Sequence, residues 1–257
     1  MNRILFTAEE IGTALPVADA RARHLLRILK VEAGSCVAVG VIDGPVGNAT
    51  VRAVTENAIE LDFVLGDDSG PPLLPITCLL GHPRPIVLRR VLRDFSAVGV
   101  GRIVVCGTEL GERSYLKSRL WSADGWRRCL IEGAEQAGAT SLPRLHTARS
   151  VEHGLHLLDQ MHAGDTATCL FFDEAAEPQA GTDHGFPARA EPPLLYAIGS
   201  ERGWTDGERA LFHDRGWRTV GLGPRVLRVE TAAVAAAVMC AAMCRRPGAT
   251  ANSGSSA

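Results

Sequence analysis

Two segments near the carboxyl end of the chain combine glycines, charged side chains and predicted helix starts, a pattern that favours binding of a small ligand. The first, residues 198–204, reads IGSERGW and lies between a predicted strand and a helix that opens with the capping box TDGE at 205–208. Two glycines allow a ligand to approach the backbone closely, and the start of the following helix attracts electronegative groups. The alternative is an ordinary turn between a strand and a helix.

The second segment, residues 222–232, reads LGPRVLRVETA, leaves a predicted strand and enters an alanine-rich helix. Glu230 or Thr231 stands at the start of that helix, where a carboxylate or a hydroxyl can cap free N–H groups. Arg225 and Arg228 flank the apolar pair 226–227. The segment therefore presents cations beside apolar side chains. In the alternative interpretation Glu230 is a structural cap and both arginines are simply exposed.

Three well-known signatures are incomplete in this chain. The sequence GVG at 99–101 precedes a strand, and GLG at 221–223 is followed by a proline with no immediate helix, so neither fits a dinucleotide-binding turn. Ser200 lies in GSERG, which differs from the GxSxG of a nucleophile elbow. His153 and His156 have a spacing that can bind a metal but that more often belongs to a solvated surface. No metal is therefore expected.

Charge is distributed unevenly along a chain that is nearly neutral overall. The 257 residues carry 27 basic and 29 acidic groups, a net charge of −2, which excludes a uniformly basic nucleic-acid coat protein. Residues 1–70 hold 6 basic and 10 acidic groups (net −4), whereas residues 82–128 hold 10 and 4 (net +6). A polyanion is therefore expected on the second segment. Arginine strongly outnumbers lysine, which suits phosphate recognition, with a GC-rich genome as the alternative cause.

Cysteine usage and hydropathy predict a cytoplasmic protein without a membrane span. The seven cysteines include no CxxC pair, which argues against a disulfide framework or a zinc ribbon. The amino-terminal residues contain no apolar core of signal-peptide length. The longest uncharged apolar run, residues 231–244, is shorter than the roughly 20 residues that a membrane helix needs, so it is predicted to be a buried helix.

Turn residues at 66–75 (GDDSGPPLLP) predict a linker between two domains. Before the linker, residues 35–43 and 48–65 alternate as strands do, and residues 18–30 resemble a helix, which together predict a small β-barrel. After the linker, short apolar strands alternate with helices, which predicts a mostly parallel α/β sheet covered on both faces.

The predicted elements of this second part follow from apolar periodicity and turn residues. The strands are expected at 76–80, 102–106, 168–172, 194–198 and 217–222. The helices are expected at 85–98, 123–137, 150–161 and 229–244, with another opened at 205 and closed by Gly216. Residues 174–193 are expected to form a mobile surface loop, and residues 246–257 a disordered tail.

In this order, the two carboxyl-terminal segments resemble the 16S ribosomal RNA (uracil-N3) methyltransferase family of the knotted SPOUT superfamily. The family pattern is close to GPEGG, a capped helix and then LGPRILRTETA, and this chain reads GSERG and LGPRVLRVETA. The block HLLRILK at 24–30 resembles the PUA-like RNA-binding domain of the family, and EQAG at 135–138 resembles its central helix. The resemblance covers roughly residues 1–245.

This resemblance implies a PUA-like β-barrel over residues 1–70 and a SPOUT α/β domain over residues 75–245, with a parallel sheet and a carboxyl-terminal trefoil knot. It also implies S-adenosylmethionine (SAM) as the methyl donor, held between the two loops. The donor-binding residues implied are Ile198, Gly199, Glu201, Gly203, Leu222, Gly223, Val226 and Leu227. The RNA-binding residues expected are His24, Arg27, Arg89, Arg90 and Arg93.

The reaction implied is methyl transfer to N3 of a uridine in 16S rRNA of the small ribosomal subunit, by a homodimer that involves no membrane. Loss of the N3 proton leaves negative charge on the base, which a nearby cation would stabilise. Arg228 is the candidate cation, and Glu230 either holds it or accepts the proton. A structural Arg228–Glu230 ion pair is the alternative. Since N3 lies on the Watson–Crick edge, a paired base must first be exposed.

The chain departs from the family pattern at a few positions. Ser200 and Arg202 replace Pro and Gly in the first loop, Ala139 stands where a basic residue is usual, and the Lys and Glu expected near residues 94–97 are absent. Two alternatives follow. One is a SPOUT methyltransferase that modifies another RNA position, and the other is a non-catalytic RNA-binding relative in which Arg202 obstructs the donor pocket.

Overall fold

The computed structural model describes residues 3–122, 124–174, 186–187 and 192–244. Most of the loop predicted at 174–193 lies outside these residues, and the tail predicted at 246–257 lies wholly outside them.

The first part of the chain forms a five-stranded sheet with the strand order β1-β3-β4-β5-β2. All neighbouring strands are antiparallel except β1 and β3, which run parallel. A short helix, α1, follows β2. The elements are β1 (Ile4–Phe6), β2 (Leu15–Pro16), α1 (Ala20–Arg27), β3 (Cys36–Val41), β4 (Val46–Val54) and β5 (Ala58–Leu65).

β1 and β2 lie at the two edges of this sheet, so the small β-barrel that the sequence predicts is present as a half-barrel. Helix α1 covers the open side and buries Ala22 and Leu25 against the strands. Its N-cap is Asp19, whose carboxylate accepts a hydrogen bond from the Arg21 amide at 2.8 Å. The stretch 48–65, predicted as one strand-like run, is two strands, because the Thr55 hydroxyl closes a turn by hydrogen-bonding the backbone of Ala58.

The second part of the chain forms a six-stranded, fully parallel sheet with the order β11-β9-β10-β6-β7-β8. This confirms the predicted parallel sheet. Its elements are β6 (Leu74–Gly81), α2 (Pro85–Val98), β7 (Val100–Cys106), α3 (Gly125–Ala137), β8 (Arg144–Ala148), α4 (Val151–Met161), β9 (Thr168–Phe172), β10 (Leu194–Ile198), α5 (Asp206–His213), β11 (Arg218–Val220) and α6 (Val229–Cys244).

Helices cover both faces of the parallel sheet. Alternate strand residues point to opposite faces, so Leu80 and Tyr196 pack with α2, α3 and α6, while Leu79 and Ala197 pack with α4 and α5. Helix α6 contacts α2, β6 and β10. Within the described residues, no helix is long and apolar enough to cross a membrane.

The two sheets are joined through the start of the chain and the end of α3. The Arg3 amide donates to the Glu135 carbonyl at 3.0 Å, and the Leu5 amide donates to the Glu135 carboxylate at 3.0 Å. Burial raises the pKa of this carboxyl group. The Thr140 hydroxyl lies 2.8 Å from the Gly44 carbonyl oxygen and 2.6 Å from that of Ser69. Glu135, part of the EQAG motif, thus fastens β1 to α3.

Candidate functional site

A cavity of about 1030 Å³ opens at the carboxyl ends of β9, β10 and β11. One wall is a face of α2. The other walls are the residues at the end of each strand, namely 172–174 after β9, 198–201 and 203–204 after β10, and 221–230 after β11. In an open parallel sheet the carboxyl ends of the strands are the usual place for a ligand. The two loops that the sequence analysis singled out therefore meet in one cavity.

The first loop is a tight turn, and its close backbone approach favours glycine at position 199. The Gly203 amide donates to the Ser200 carbonyl at 2.9 Å, and a Cβ atom on Gly199 would lie 3.0 Å from the Gly203 Cα. The Trp204 indole N–H donates to the Phe172 carbonyl at 3.1 Å and so ties this loop to the end of β9. The backbone at 199–203 is thereby held at the cavity wall.

Glu201 has a structural partner that sequence reasoning missed. Its carboxylate accepts a hydrogen bond from the Arg84 amide at 2.9 Å. Arg84 is the N-cap residue of α2 and makes no side-chain cap of its own, so Glu201 satisfies one of the free N–H groups at that helix start. Arg202 is exposed and is absent from the cavity lining, and it does not obstruct the cavity.

The second loop is more open than expected. Val226 is 80% exposed and Leu227 is 36% exposed, so the apolar wall that these two implied donor-binding residues provide is only partly formed in a single chain. Gly223 adopts a φ of +102°, with no atom within 4 Å of the position that a Cβ would occupy. Glu230 lies in the first turn of α6, whereas Arg228 precedes the helix and is exposed.

Glu230 is paired with Arg90 rather than with Arg228. The Arg90 guanidinium lies 3.4 Å from the Glu230 carboxylate, and among the described residues Arg228 makes no ion pair. Arg90, expected among the RNA-binding residues with Arg89 and Arg93, therefore has a partner inside the cavity. Arg90 is exposed, but it also lines the cavity. Arg84 and Val87 line the cavity too, and the three residues follow one another at intervals of about one helical turn along α2.

The other candidate RNA-binding residues lie outside the cavity. Arg93 forms an ion pair with Glu132 of α3 at 2.5 Å, and Arg89 is half-buried on α2. His24 and Arg27 lie on α1, on the first sheet. The structure therefore does not bring the five residues together in one place.

An ion pair with a buried carboxylate, at the end of β9, is a feature of the cavity that sequence reasoning did not identify. Asp173 lines the cavity with its side chain 4% exposed and binds Arg209 of α5 at 2.5 Å, and this contact raises the pKa of Arg209. The sequence did indicate Asp173 as a candidate, because it directly follows an apolar parallel strand, and functional residues are common at that position.

His82 lies directly after β6, at the carboxyl edge of the parallel sheet, and its ring is held in the neutral form. The Trp121 indole N–H donates to His82 Nε2 at 3.0 Å, and His82 Nδ1 lies 2.6 Å from the Pro83 carbonyl oxygen. Burial lowers the pKa of His82. The ring therefore links the segment after β7 to the edge that carries the cavity.

These features define an α/β protein with a cavity suited to a ligand at the carboxyl edge of a parallel sheet. Comparison with known proteins gives the class. The sequence model described as RNA methyltransferase domain matches residues 70–241. The chain is 42% identical over 247 residues to the ribosomal RNA small subunit methyltransferase E of Treponema pallidum, with 92% of this chain and 89% of the relative covered. The chain belongs to the ribosomal RNA small subunit methyltransferase E family, and it is an RNA methyltransferase.

Solved structures agree on the fold. A ribosomal RNA small subunit methyltransferase E from Neisseria gonorrhoeae, bound to S-adenosyl methionine, matches with a TM-score of 0.71 at 22% identity, covering 95% of this chain and 98% of that one. A methyltransferase from Legionella pneumophila in complex with the cofactor SAM matches with a TM-score of 0.72 at 21% identity, covering 94% and 97%.

Proposed function

We propose that this protein uses SAM to methylate N3 of a uridine in 16S rRNA. The observation that carries the proposal is the single cavity formed by the loops 198–204 and 222–230 at the carboxyl edge of the sheet. Membership of the ribosomal RNA small subunit methyltransferase E family supports an rRNA substrate. The segment LGPRVLRVETA, nearly identical to the family pattern, supports the choice of uridine N3. Such a substrate would place the protein with ribosomes in the cytoplasm.

The cavity fits SAM in size and in the groups that it offers. A volume of about 1030 Å³ accommodates a nucleoside-sized ligand. The backbone at Gly199, Gly203 and Gly223 can be approached closely, and the acidic residues Asp173, Glu174 and Glu230 line the cavity, which suits a ligand that carries a sulfonium and an ammonium group. We infer that the donor contacts are those implied by the resemblance: Ile198, Gly199, Glu201, Gly203, Leu222, Gly223, Val226 and Leu227.

SAM, when bound, supplies a methyl group already activated by the sulfonium, so the protein mainly positions the two partners. In our proposal Arg228, which is exposed at the cavity mouth, stabilises the negative charge that spreads over the uracil carbonyl groups when N3 loses its proton. Glu230, held by Arg90 at 3.4 Å, is the carboxylate closest in sequence to that cation and the candidate proton acceptor.

RNA contacts outside the cavity would then bind the phosphate backbone. Arg89 on α2 and His24 and Arg27 on α1 make no ion pair with a described residue. Arg93 is already paired with Glu132, a carboxylate that it shares with Arg128, so we expect a smaller contribution from it. Arg90 acts in the cavity in this scheme, as the residue that positions Glu230.

We also propose that the protein is a homodimer that uses α6, and that the chain between β10 and α6 forms the trefoil knot of the superfamily. Val238, Met239 and Ala242 are exposed on α6, and Ala235 is half-buried beside them, so the outer face of this helix is apolar. The partly formed apolar wall at Val226 and Leu227 suggests that a second chain completes the site.

The proposed homodimer can be tested directly by measuring the mass of the protein in solution. Light scattering at micromolar concentration is expected to give about twice the 27.4 kDa of one chain. Val238→Asp is expected to shift the protein to monomers, because it places a charge in an apolar contact. Val64→Asp, which changes an exposed valine of β5, serves as the control and should leave the dimer intact. A monomeric wild-type protein would contradict the shared site.

A further inference from the structure

A second cavity, the edge pocket, opens at the amino-terminal edge of the parallel sheet, opposite the edge that carries the candidate donor site. It has a volume of about 480 Å³ and lies at the first residues of β6, β7 and β8. Its polar lining residues are Arg102, Arg144, His162 and Asp165. A cavity of this size is typical of a small-molecule site.

Two arginines stand side by side in the edge pocket. Arg102 of β7 and Arg144 of β8 are direct partners in the parallel register, and neighbouring strands lie only about 4.8 Å apart. Neither arginine forms an ion pair with any residue that the structure describes. Because like charges at this spacing repel each other, an anion that contacts both would stabilise the arrangement.

Both arginine side chains lie on the face of the sheet that α4 covers. Val104, two residues after Arg102 and therefore on the same face, belongs to the core beneath α4 and α5. Thr77 of β6 is the register partner of Arg102 on its other side, so Thr77, Arg102 and Arg144 form one polar row across three strands. Burial, and then the charges of Arg102 and Arg144, lower the pKa of His146 on this face.

The acidic group of the pocket is already occupied. Among the described residues of the lining, Asp165 is the one acid, and its Oδ2 lies 3.1 Å from His162 Nδ1. The other ring nitrogen of His162, Nε2, lies 3.2 Å from Thr77 Oγ1. The buried imidazole is thus fixed between β6 and the turn after α4, and both guanidinium groups stay available to a ligand.

The rest of the lining offers apolar surface next to these charges. It consists of Leu73, Leu74, Pro75, Ile76, Gly101, Met161, Pro192 and Pro193. Small-molecule sites commonly combine such a surface with a few polar groups that fix the orientation of the ligand. The edge pocket therefore suits a ligand with one anionic end and a less polar organic body.

We propose that the edge pocket binds a phosphate monoester of the size of a nucleoside monophosphate, with its phosphate on Arg102 and Arg144 and its organic body against the apolar lining. The planar guanidinium fork matches phosphate oxygens in pairs. A monoester carries roughly 1.5 to 2 negative charges at neutral pH, which two arginines balance, whereas a phosphodiester of an RNA backbone carries one. The proposal is independent of methyl transfer, because the edge pocket and the donor cavity share no lining residue among those described.

Isothermal titration with uridine 5′-monophosphate (UMP), uridine and inorganic phosphate tests the site, in the presence of SAM to occupy the donor cavity. UMP is expected to bind with a Kd below roughly 1 mM, and at least about tenfold more tightly than the other two probes, because it alone offers both the charge and the body. Arg102→Gln and Arg144→Gln are each expected to weaken UMP binding roughly 10- to 100-fold, as for loss of a hydrogen bond between charged groups. Arg102→Lys should retain only part of the affinity, because lysine lacks the fork.

Arg218→Gln is the matched control. Arg218 is an exposed arginine at the first position of β11, at the same edge of the same sheet, and it lies outside the lining of the edge pocket. This variant should bind UMP like the wild type, and circular dichroism checks that every variant is folded. Absence of UMP binding by the wild type at about 5 mM, or wild-type affinity in both glutamine variants, overturns the proposal. Loss of 16S rRNA affinity in those variants without UMP binding by the wild type also overturns it, and assigns the two arginines to the RNA backbone.

A free nucleotide and the 5′-phosphate end of an RNA can both supply a phosphate monoester. Titration with a short RNA that carries or lacks a 5′-phosphate distinguishes these sources. A preference for the phosphorylated RNA that Arg102→Gln abolishes identifies the RNA end, and equal binding of the two RNAs identifies the free nucleotide.

Methyl transfer by the wild-type protein to 16S rRNA, measured in parallel, separates this proposal from the proposed function. Transfer without UMP binding overturns the edge pocket alone. UMP binding that depends on Arg102 and Arg144, without transfer, supports the edge pocket and overturns the proposed function.

Discussion

Replacing Arg228 by alanine is expected to slow methyl transfer by roughly 10²- to 10³-fold at saturating SAM and RNA, the size of effect measured when one preorganised donor to a developing anion is removed. The reason is that Arg228 lines the cavity, lies outside every ion pair of the described chain and is free to face the deprotonated uracil. Single-turnover rates with a radiolabelled methyl group measure the effect without interference from product release.

Arg89→Ala is the control for Arg228, because Arg89 lies on α2 outside the cavity lining. It is expected to weaken RNA binding and to lower the salt slope by somewhat less than about 1, with a near-normal rate at saturating RNA. Arg228→Ala should do the opposite and leave RNA affinity nearly constant. A near-normal rate for Arg228→Ala would remove this residue from catalysis and leave Glu230 or the RNA itself to account for deprotonation.

Replacing Gly223 by valine is expected to weaken SAM binding by roughly 5- to 150-fold, which corresponds to the 1–3 kcal/mol typical of a side chain in a disfavoured backbone region. The space around Gly223 is open, so the effect does not come from a clash within the protein. It comes from the φ of +102°, which a β-branched residue adopts only with strain. The loop is expected to leave its cavity-lining conformation, and isothermal titration with SAM measures the loss.

Gly216→Val is the matched control for this variant. Gly216 has a φ of +72°, no atom within 4 Å of its Cβ position and no place in the cavity lining. Both variants should lose stability to a similar degree in thermal unfolding, and only Gly223→Val should lose SAM affinity. Equal SAM affinity in the two folded variants would contradict the assignment of the loop 222–230 to the donor site.

The sequence predicted well those elements of the parallel-sheet region that have a clear apolar pattern. Helices Pro85–Val98 and Val229–Cys244 and strands Thr168–Phe172 and Leu194–Ile198 agree at both ends, because each has a clear apolar pattern between turn residues. Strands β1, β2 and β8 were missed. β1 and β2 have three and two residues, too few for a periodic signal, and β8 (RLHTA) has five residues but no apolar run. These strands form because a partner is present, as β1 does beside β3 and Glu135.

The site was predictable where it depends on topology and unpredictable where it depends on distant pairs. Both loops follow parallel strands, so their meeting at one edge of the sheet follows from the predicted fold. The contact between Arg90 and Glu230 joins residues 140 positions apart, and the one between Asp173 and Arg209 joins a strand end to a helix. No local pattern specifies either pair, so Arg90 was placed with the RNA-binding arginines.

Nucleoside mass spectrometry of 16S rRNA tests the central claim most directly. Small ribosomal subunits from a strain that lacks the gene are incubated with the purified protein and isotopically labelled SAM, and the rRNA is then digested to nucleosides. We expect 3-methyluridine to be absent before incubation and to carry the label afterwards. Label in a different nucleoside, or 3-methyluridine already present in the deletion strain with no label gained, would contradict it.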